Sequence, residues 1–185
     1  MRMLIAFALL FTAGCTCNEG GNPAARPGAP KMGKMKGKTK GKMKGKTKGK
    51  VPQVGVALYF VDAAKLEAGD ADPWVKVDRQ VGAKTPAKNA VWQLFKGPTP
   101  EEEANGLKLI TSGAGGFTSF DVQGNTATLQ LRDGCDSAGS TVTVWDHISK
   151  TLKEFPEIEH VKLLGPDGST QDDGSGDAKP ACLEP

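Results

Sequence analysis

Two histidines, a glycine-rich loop, a late run of aspartates and two widely separated cysteines are the places where this chain could do chemistry. His147 and His160 could act as acid–base groups or metal ligands, but neither lies near a serine elbow or in a His-Glu-x-x-His pattern. Both read as packing or surface residues. Asp167, Asp172, Asp173 and Asp177 offer oxygen ligands to calcium, yet they lack the ordered loop spacing of a strong site. Ser112-Gly113-Ala114-Gly115-Gly116 lacks the lysine and following helix of a phosphate cradle, because Phe117 to Val122 continues as a strand. A glycosidase needs two carboxylates across a cleft, and of the 21 acids all but Glu19 lie after position 50, so spacing cannot choose a pair. Cys135 and Cys182 lack the Cys-x-x-Cys spacing of a redox pair. No catalytic, cofactor-binding or metal-binding residue is assigned, and the expectation is a protein that is not an enzyme.

The remaining cysteines belong to a different chemistry. Met1-Arg2-Met3 followed by Leu4 to Phe11 gives a short basic region and an apolar run too short to span a bilayer, which suits a cleaved export signal over residues 1–14. Ala13-Gly14-Cys15 after that run resembles the lipobox of bacterial lipoproteins, with Thr12 where the pattern prefers leucine. The resemblance implies acylation of Cys15, which would become the mature N-terminus and hold the chain to a membrane by its acyl chains. Cys17 lies too close to Cys15 for the two to begin a zinc site. Export also bears on Cys135 and Cys182: in an oxidising compartment an isolated pair reads most simply as a disulfide, with two free buried thiols as the alternative. Such a bridge would close a loop of about 50 residues and contribute about 3 to 4 kcal/mol.

Charge divides the chain sharply. Residues 31–50 hold ten lysines and no acid in a Gly-Lys-Met-Lys, Gly-Lys-Thr-Lys repeat, whereas residues 51–185 hold 12 basic against 20 acidic residues, a net charge of about −8. The whole-chain pI of 8.6 therefore describes neither part. Residues 15–50 cannot bury enough surface to offset ordering entropy and are expected to be a disordered tether with a reach of roughly 30 to 35 Å. Its lysines suit anionic headgroups or acidic envelope polymers, and a solubilising spacer is the equally simple reading. Nucleic acid is not expected as a partner, since the segment has no aromatic residue to stack on bases.

The elements that could position a site begin at Val51. Val54 to Val61 is a near-continuous apolar run that predicts a strand buried on both faces, and Trp74 to Val81 alternates as a half-buried strand should. Ala63 to Asp72 reads as a connection or short helical turn. Ala87, Ala90, Val91, Leu94 and Phe95 mark one face of a helix from Pro86 to Lys96, capped by Thr85 and stopped by Gly97-Pro98. Thr99-Pro100-Glu101-Glu102-Glu103 restarts a short helix whose acids lie against its positive end. Phe117 to Val122 and Thr126 to Leu131 form a hairpin about Gly124-Asn125, and a second helix runs from about Gly139 to Phe155, with Val144, Ile148, Leu152 and Phe155 as its stripe. Glu159 to Leu164 is the last clear strand, and Gln171 to Lys179 is expected to be loose until Cys182 ties it down. The class is α+β: one small domain over residues 51–170 with a mixed sheet of about five strands and two main helices packed on one face, then a C-terminal tail over 171–185.

One ordered set of residues goes further. It comprises Tyr59-Phe60-Val61-Asp62, Arg79, Leu94-Phe95-Lys96-Gly97-Pro98-Thr99 with Glu102 and Gly106-Leu107, the hairpin, Thr151-Leu152 to Phe155-Pro156, and Asp167-Gly168. In this order and spacing it resembles the sporulation and spore-germination module of bacterial envelope proteins, the GerMN domain. Phe95 where a second leucine is usual and Cys135 where cysteine is not are departures confined to local geometry. The resemblance implies a fold similar to ring-building-motif domains, carries no established catalytic residues, and implies an exported, membrane-anchored lipoprotein of the cell envelope, on the periplasmic face in a Gram-negative cell. The partners so implied are the membrane and an envelope protein or peptidoglycan, with a homo-oligomer allowed. An accessory enzyme on wall polymers and a purely structural tethered protein are the alternatives.

Overall fold

The computed structural model describes residues 51–172 and 176–185. The signal segment, Cys15, the lysine repeats and Asp173 lie outside the described residues. In chain order the elements are β1 (Gln53–Asp62), α1 (Ala63–Glu67), β2 (Trp74–Gly82), α2 (Pro86–Phe95), α3 (Pro100–Ala104), β3 (Leu107–Lys108), β4 (Ala114–Gln123), β5 (Thr126–Asp133), α4 (Val144–Leu152), β6 (His160–Leu164), β7 (Gln171–Asp172), β8 (Ala178–Lys179) and a 3-10 turn (Ala181–Leu183).

The class is α+β, with the strands divided between two sheets. The order is β2-β1-β3 in one and β4-β5-β6-β8-β7 in the other. β1 pairs antiparallel with β2 along nearly its whole length but with β3 only at Val61 and Asp62. The five-stranded sheet is mixed: β4 and β5 form an antiparallel hairpin, and β6 returns parallel to β5 through α4. α2 and α4 pack on each other, and each also touches both sheets, α2 through β1, β2 and β4, α4 through β1 and β6. One core therefore runs through the molecule, from Leu58 and Phe60 past Val91, Leu94, Ile148 and Leu152 to Leu129, Leu131 and Leu163.

Local chemistry accounts for most boundaries. β1 is buried from Val56 onward, whereas its first residues are exposed. α2 buries Ala87, Ala90, Val91 and Leu94, and full burial of Val91 and Leu94 contributes about 1.5 to 3 kcal/mol each. Gly97 ends it in the left-handed region at φ 79°, with its N–H on the Leu94 carbonyl at 2.9 Å. α3 opens with Thr99 and Glu102 capping each other reciprocally.

α4 starts at Val144, five residues later than the periodicity suggests. The Asp146 carboxylate accepts from the N–H and hydroxyl of Thr143 and fixes the start there, while the Ser140 hydroxyl donates to the Val142 carbonyl and holds the preceding turn. The C-terminal segment also differs from expectation, because Gln171–Asp172 and Ala178–Lys179 pair as strands and β8 joins β6. Its anchors are side chains: buried Ala178 and Leu183, and Asp177, whose carboxylate accepts from Val161 N–H at 2.9 Å and Lys153 Nζ at 2.5 Å.

Candidate functional site

An aromatic surface lies where α2 meets β4. Phe117 and Phe120 are three residues apart, which on a regular strand would put them on opposite faces. A bulge removes the conflict: Phe117 pairs with Leu131 and Ser119 with Gln130, so Thr118 is an extra residue and Phe120 faces Leu129. Both rings thus share the side of buried Leu129 and Leu131. On α2, Phe95 is half-buried, and Trp92 stands off the buried stripe, 54% exposed. Ring centroids are 5.9 Å apart for Trp92–Phe117, 6.1 Å for Phe95–Phe117 and 6.4 Å for Phe117–Phe120, mostly edge-on.

Beside these rings is a narrow cleft of about 70 Å³ lined by Trp92, Phe95, Lys96, Gly115, Gly116, Phe117 and Arg132. Arg132 lies across Gly116, which sits at φ 147° and where an added Cβ would come within 3.2 Å of the guanidinium. Its Nη2 donates to the Gly115 carbonyl at 2.8 Å and its Nε to Asp133 at 3.1 Å. The surface can stack an apolar or planar group on Trp92 and Phe117 and meet an anionic one with Lys96 and Arg132.

A second constellation is polar, buried at His147 and Thr151 and exposed at Lys76 and Glu154. His147 on α4 is fully buried and accepts from Ile110 N–H on Nε2 at 3.1 Å. Nδ1 therefore carries the proton and donates to the Tyr59 carbonyl at 2.8 Å. One turn later the Thr151 hydroxyl accepts from Tyr59 N–H at 3.2 Å, so α4 takes the place of a neighbouring strand at Tyr59. The Tyr59 hydroxyl donates to one oxygen of Glu154, whose other oxygen accepts from Lys76 Nζ at 2.6 Å.

These contacts set the protonation states. Burial pushes His147 down to about 4, the Lys76 ammonium and then the Tyr59 hydroxyl hold Glu154 below the usual carboxylate range, and the Glu154 bond raises Tyr59. A neutral imidazole with both nitrogens engaged has no lone pair for a substrate, and a tyrosine held protonated is a poor nucleophile. The set fastens β1, β2 and α4 together.

Comparison with known proteins places the whole in context. A family model described as Germane, sporulation and spore germination, matches residues 57–172. The chain belongs to this family. Among solved structures, the tandem GerMN domains of the sporulation protein GerM from Bacillus subtilis are similar at 19% identity and a TM-score of 0.44, over 63% of this chain and 43% of that one. This chain thus matches less than half the length of that tandem protein. No curated protein matches it significantly.

In this Germane-family chain several residues of the ordered set fall on joints. Arg79 of β2 forms an ion pair with Glu102, the same carboxylate that accepts from Thr99 N–H, and the Arg79 bond holds Glu102 below the usual range. Asp62 caps α1, accepting from Ala64 N–H at 2.9 Å. Cys135 and Cys182 are joined by a disulfide with Cα atoms 5.6 Å apart, which ties a cysteine beyond the Germane match back to the end of β5.

Among the described residues Asp167, Asp172 and Asp177 meet different partners, and no metal-holding group of three or more His, Cys, Asp or Glu forms. Asp167 accepts from Ser169, Asp172 meets Lys162, and Asp177 is engaged by Lys153 and Val161. His160 lies 4.0 Å from Asp177. Sequence reading missed the aromatic surface. One signal is a tryptophan off the apolar stripe of α2, and a second, Phe117 with Phe120, is hidden by the bulge.

Proposed function

We propose that this Germane-family chain is a non-enzymatic binding or assembly module of the cell envelope, held to the membrane by an acyl chain on Cys15 and extended by its lysine-rich segment. The Trp92, Phe95, Phe117 and Phe120 surface, with Lys96 and Arg132 at its rim, makes contact with an envelope protein or peptidoglycan. The observation that carries this reading is the exposure of Trp92 at the mouth of a ring-lined cleft with cations beside it. Rings gathered on one surface, rather than scattered singly, mark a contact site. The strongly shifted His147 supports it from the other side, because both its nitrogens are engaged in holding α4 to Tyr59 and Ile110.

The test is binding of the purified chain, with Cys15→Ser to remove acylation, to isolated peptidoglycan sacculi and to crosslinked envelope proteins in cells. Trp92→Ala is expected to weaken capture by tenfold or more while leaving the melting temperature nearly unchanged. Release of wall fragments by residues 51–185, lost when a single acid is replaced by alanine, would reject the binding reading. Fatty-acid labelling that persists in Cys15→Ser would reject the anchor.

A further inference from the structure

β1 is the central strand of its sheet, yet half of its second edge has no partner. The parity of the strand is fixed by its end bonds: the Pro52 carbonyl accepts from Ala83 N–H and Asp62 N–H donates to the Pro73 carbonyl, so even positions turn toward β2. Odd positions turn the other way. Val61 faces β3, Ala63 N–H reaches the Gly106 carbonyl, and Tyr59 is served by Thr151 and His147. Gln53, Gly55 and Ala57 share that parity, and among the described residues their outward N–H and C=O groups make no hydrogen bond. Gln53 and Gly55 are exposed, whereas Ala57 is only 8% exposed, so its outward polar backbone groups lie near the limit of water's reach. Alongside them runs an open groove lined by Val54 to Ala57, the charged Lys76, Asp78 and Glu154, and Pro86, Phe155 and Pro156.

We infer that this edge is the interface for a second copy of the chain, the two β1 strands pairing antiparallel about Gly55. Gln53 lies opposite the partner's Ala57 and Gly55 opposite the partner's Gly55, each pair exchanging both backbone bonds. The set is symmetric about Gly55, so the segment satisfies itself under a two-fold axis without a second sequence. Gln53 to Ala57 itself carries no charge to repel its own copy, and the residue types that guard a free edge, Lys50 and Pro52, stand before it rather than within it. Val54, 39% exposed, gains cover beside the partner's Val56. This goes beyond the aromatic surface and does not depend on it.

The test is sedimentation velocity on the full exported chain carrying Cys15→Ser and Cys17→Ser. A concentration-dependent dimer is expected, intact in Trp92→Ala and at least tenfold weaker in Ala57→Pro, which removes only an outward donor. Because proline could also unfold the strand, Gly55→Cys is the second arm: hydrogen-bonded antiparallel pairs place Cα atoms about 5.5 Å apart, within disulfide reach. Gly55→Cys should form a covalent dimer under mild oxidation, whereas Gly69→Cys should not. A chain that stays monomeric at high concentration, or a Gly55→Cys chain that fails to crosslink, overturns the inference. Protection of the Gly55 and Ala57 amides on adding a foreign extended peptide to a monomeric chain would also overturn it, assigning the edge to another protein.

Discussion

The seam at His147 and the surface at Trp92 invert the usual division of a protein into an apolar inside and a polar outside. At the seam a histidine and a threonine are fully buried; at the surface a tryptophan is more than half exposed. The difference lies in partners. Both nitrogens of His147 and the hydroxyl of Thr151 are engaged with backbone groups that would otherwise be orphaned, so burial costs little and the groups specify how α4 meets β1. The outer face of Trp92 has no such company. A buried polar group with every bond made is a structural device, whereas an exposed ring with an uncovered face is surface held in reserve for something else.

The largest test of this contrast is His147→Ala. It leaves Ile110 N–H and the Tyr59 carbonyl unpaired beside a cavity, and unfolding in urea should show a loss of about 3 to 5 kcal/mol. The same seam can be probed without mutation. Below its ordinary value of 6.5 the unfolded chain takes up a proton at His147 that the folded chain refuses until about pH 4. Its contribution is thus present above pH 6.5, falls with pH and is lost below about 4. The loss is about 3 kcal/mol in all, with about 1 of it between pH 7 and 5.5, above the range in which Glu102 and Glu154 titrate. Flat stability between pH 7 and 5 would show that His147 is already charged or solvated. Thr151→Val keeps the shape but strips Tyr59 N–H of its acceptor, and should cost about 1 to 2 kcal/mol with binding to envelope partners unchanged.

How far the two regions could be read from sequence follows from how local their causes are. α2 and α3 were legible because periodicity, Thr99 and Glu102 as reciprocal caps, and Gly97 as a stop all act within a few residues. The seam was half legible: His147 could be read as a packing residue, but nothing local says that its nitrogens reach Ile110 and Tyr59. The two-sheet division rests on pairings far apart in sequence, and β7 and β8 are too short to show a period. Their strand character comes from Asp177, Ala178 and Leu183 docking on β6 and α4. The aromatic surface was the least legible, since Phe117 and Phe120 read as opposite faces until the extra residue at Thr118 turns them to one.

Trp92→Ala should have the smallest effect on stability and the most informative one on function. Trp92 contributes little to the core, because Ala90, Val91 and Leu94 carry the buried stripe of α2 and the remaining rings still close over Phe117. Melting and urea midpoints should therefore move by less than about 1 kcal/mol. Contact with the envelope partner, by contrast, should fall by tenfold or more, the loss expected of an aromatic at the centre of an interface. Phe95→Leu separates the two roles. This ring is half-buried, so it should cost more stability than Trp92→Ala and less binding. If Trp92→Ala instead destabilised the fold as strongly as His147→Ala, the ring would be core that happens to reach water, and the contrast between the two regions would collapse.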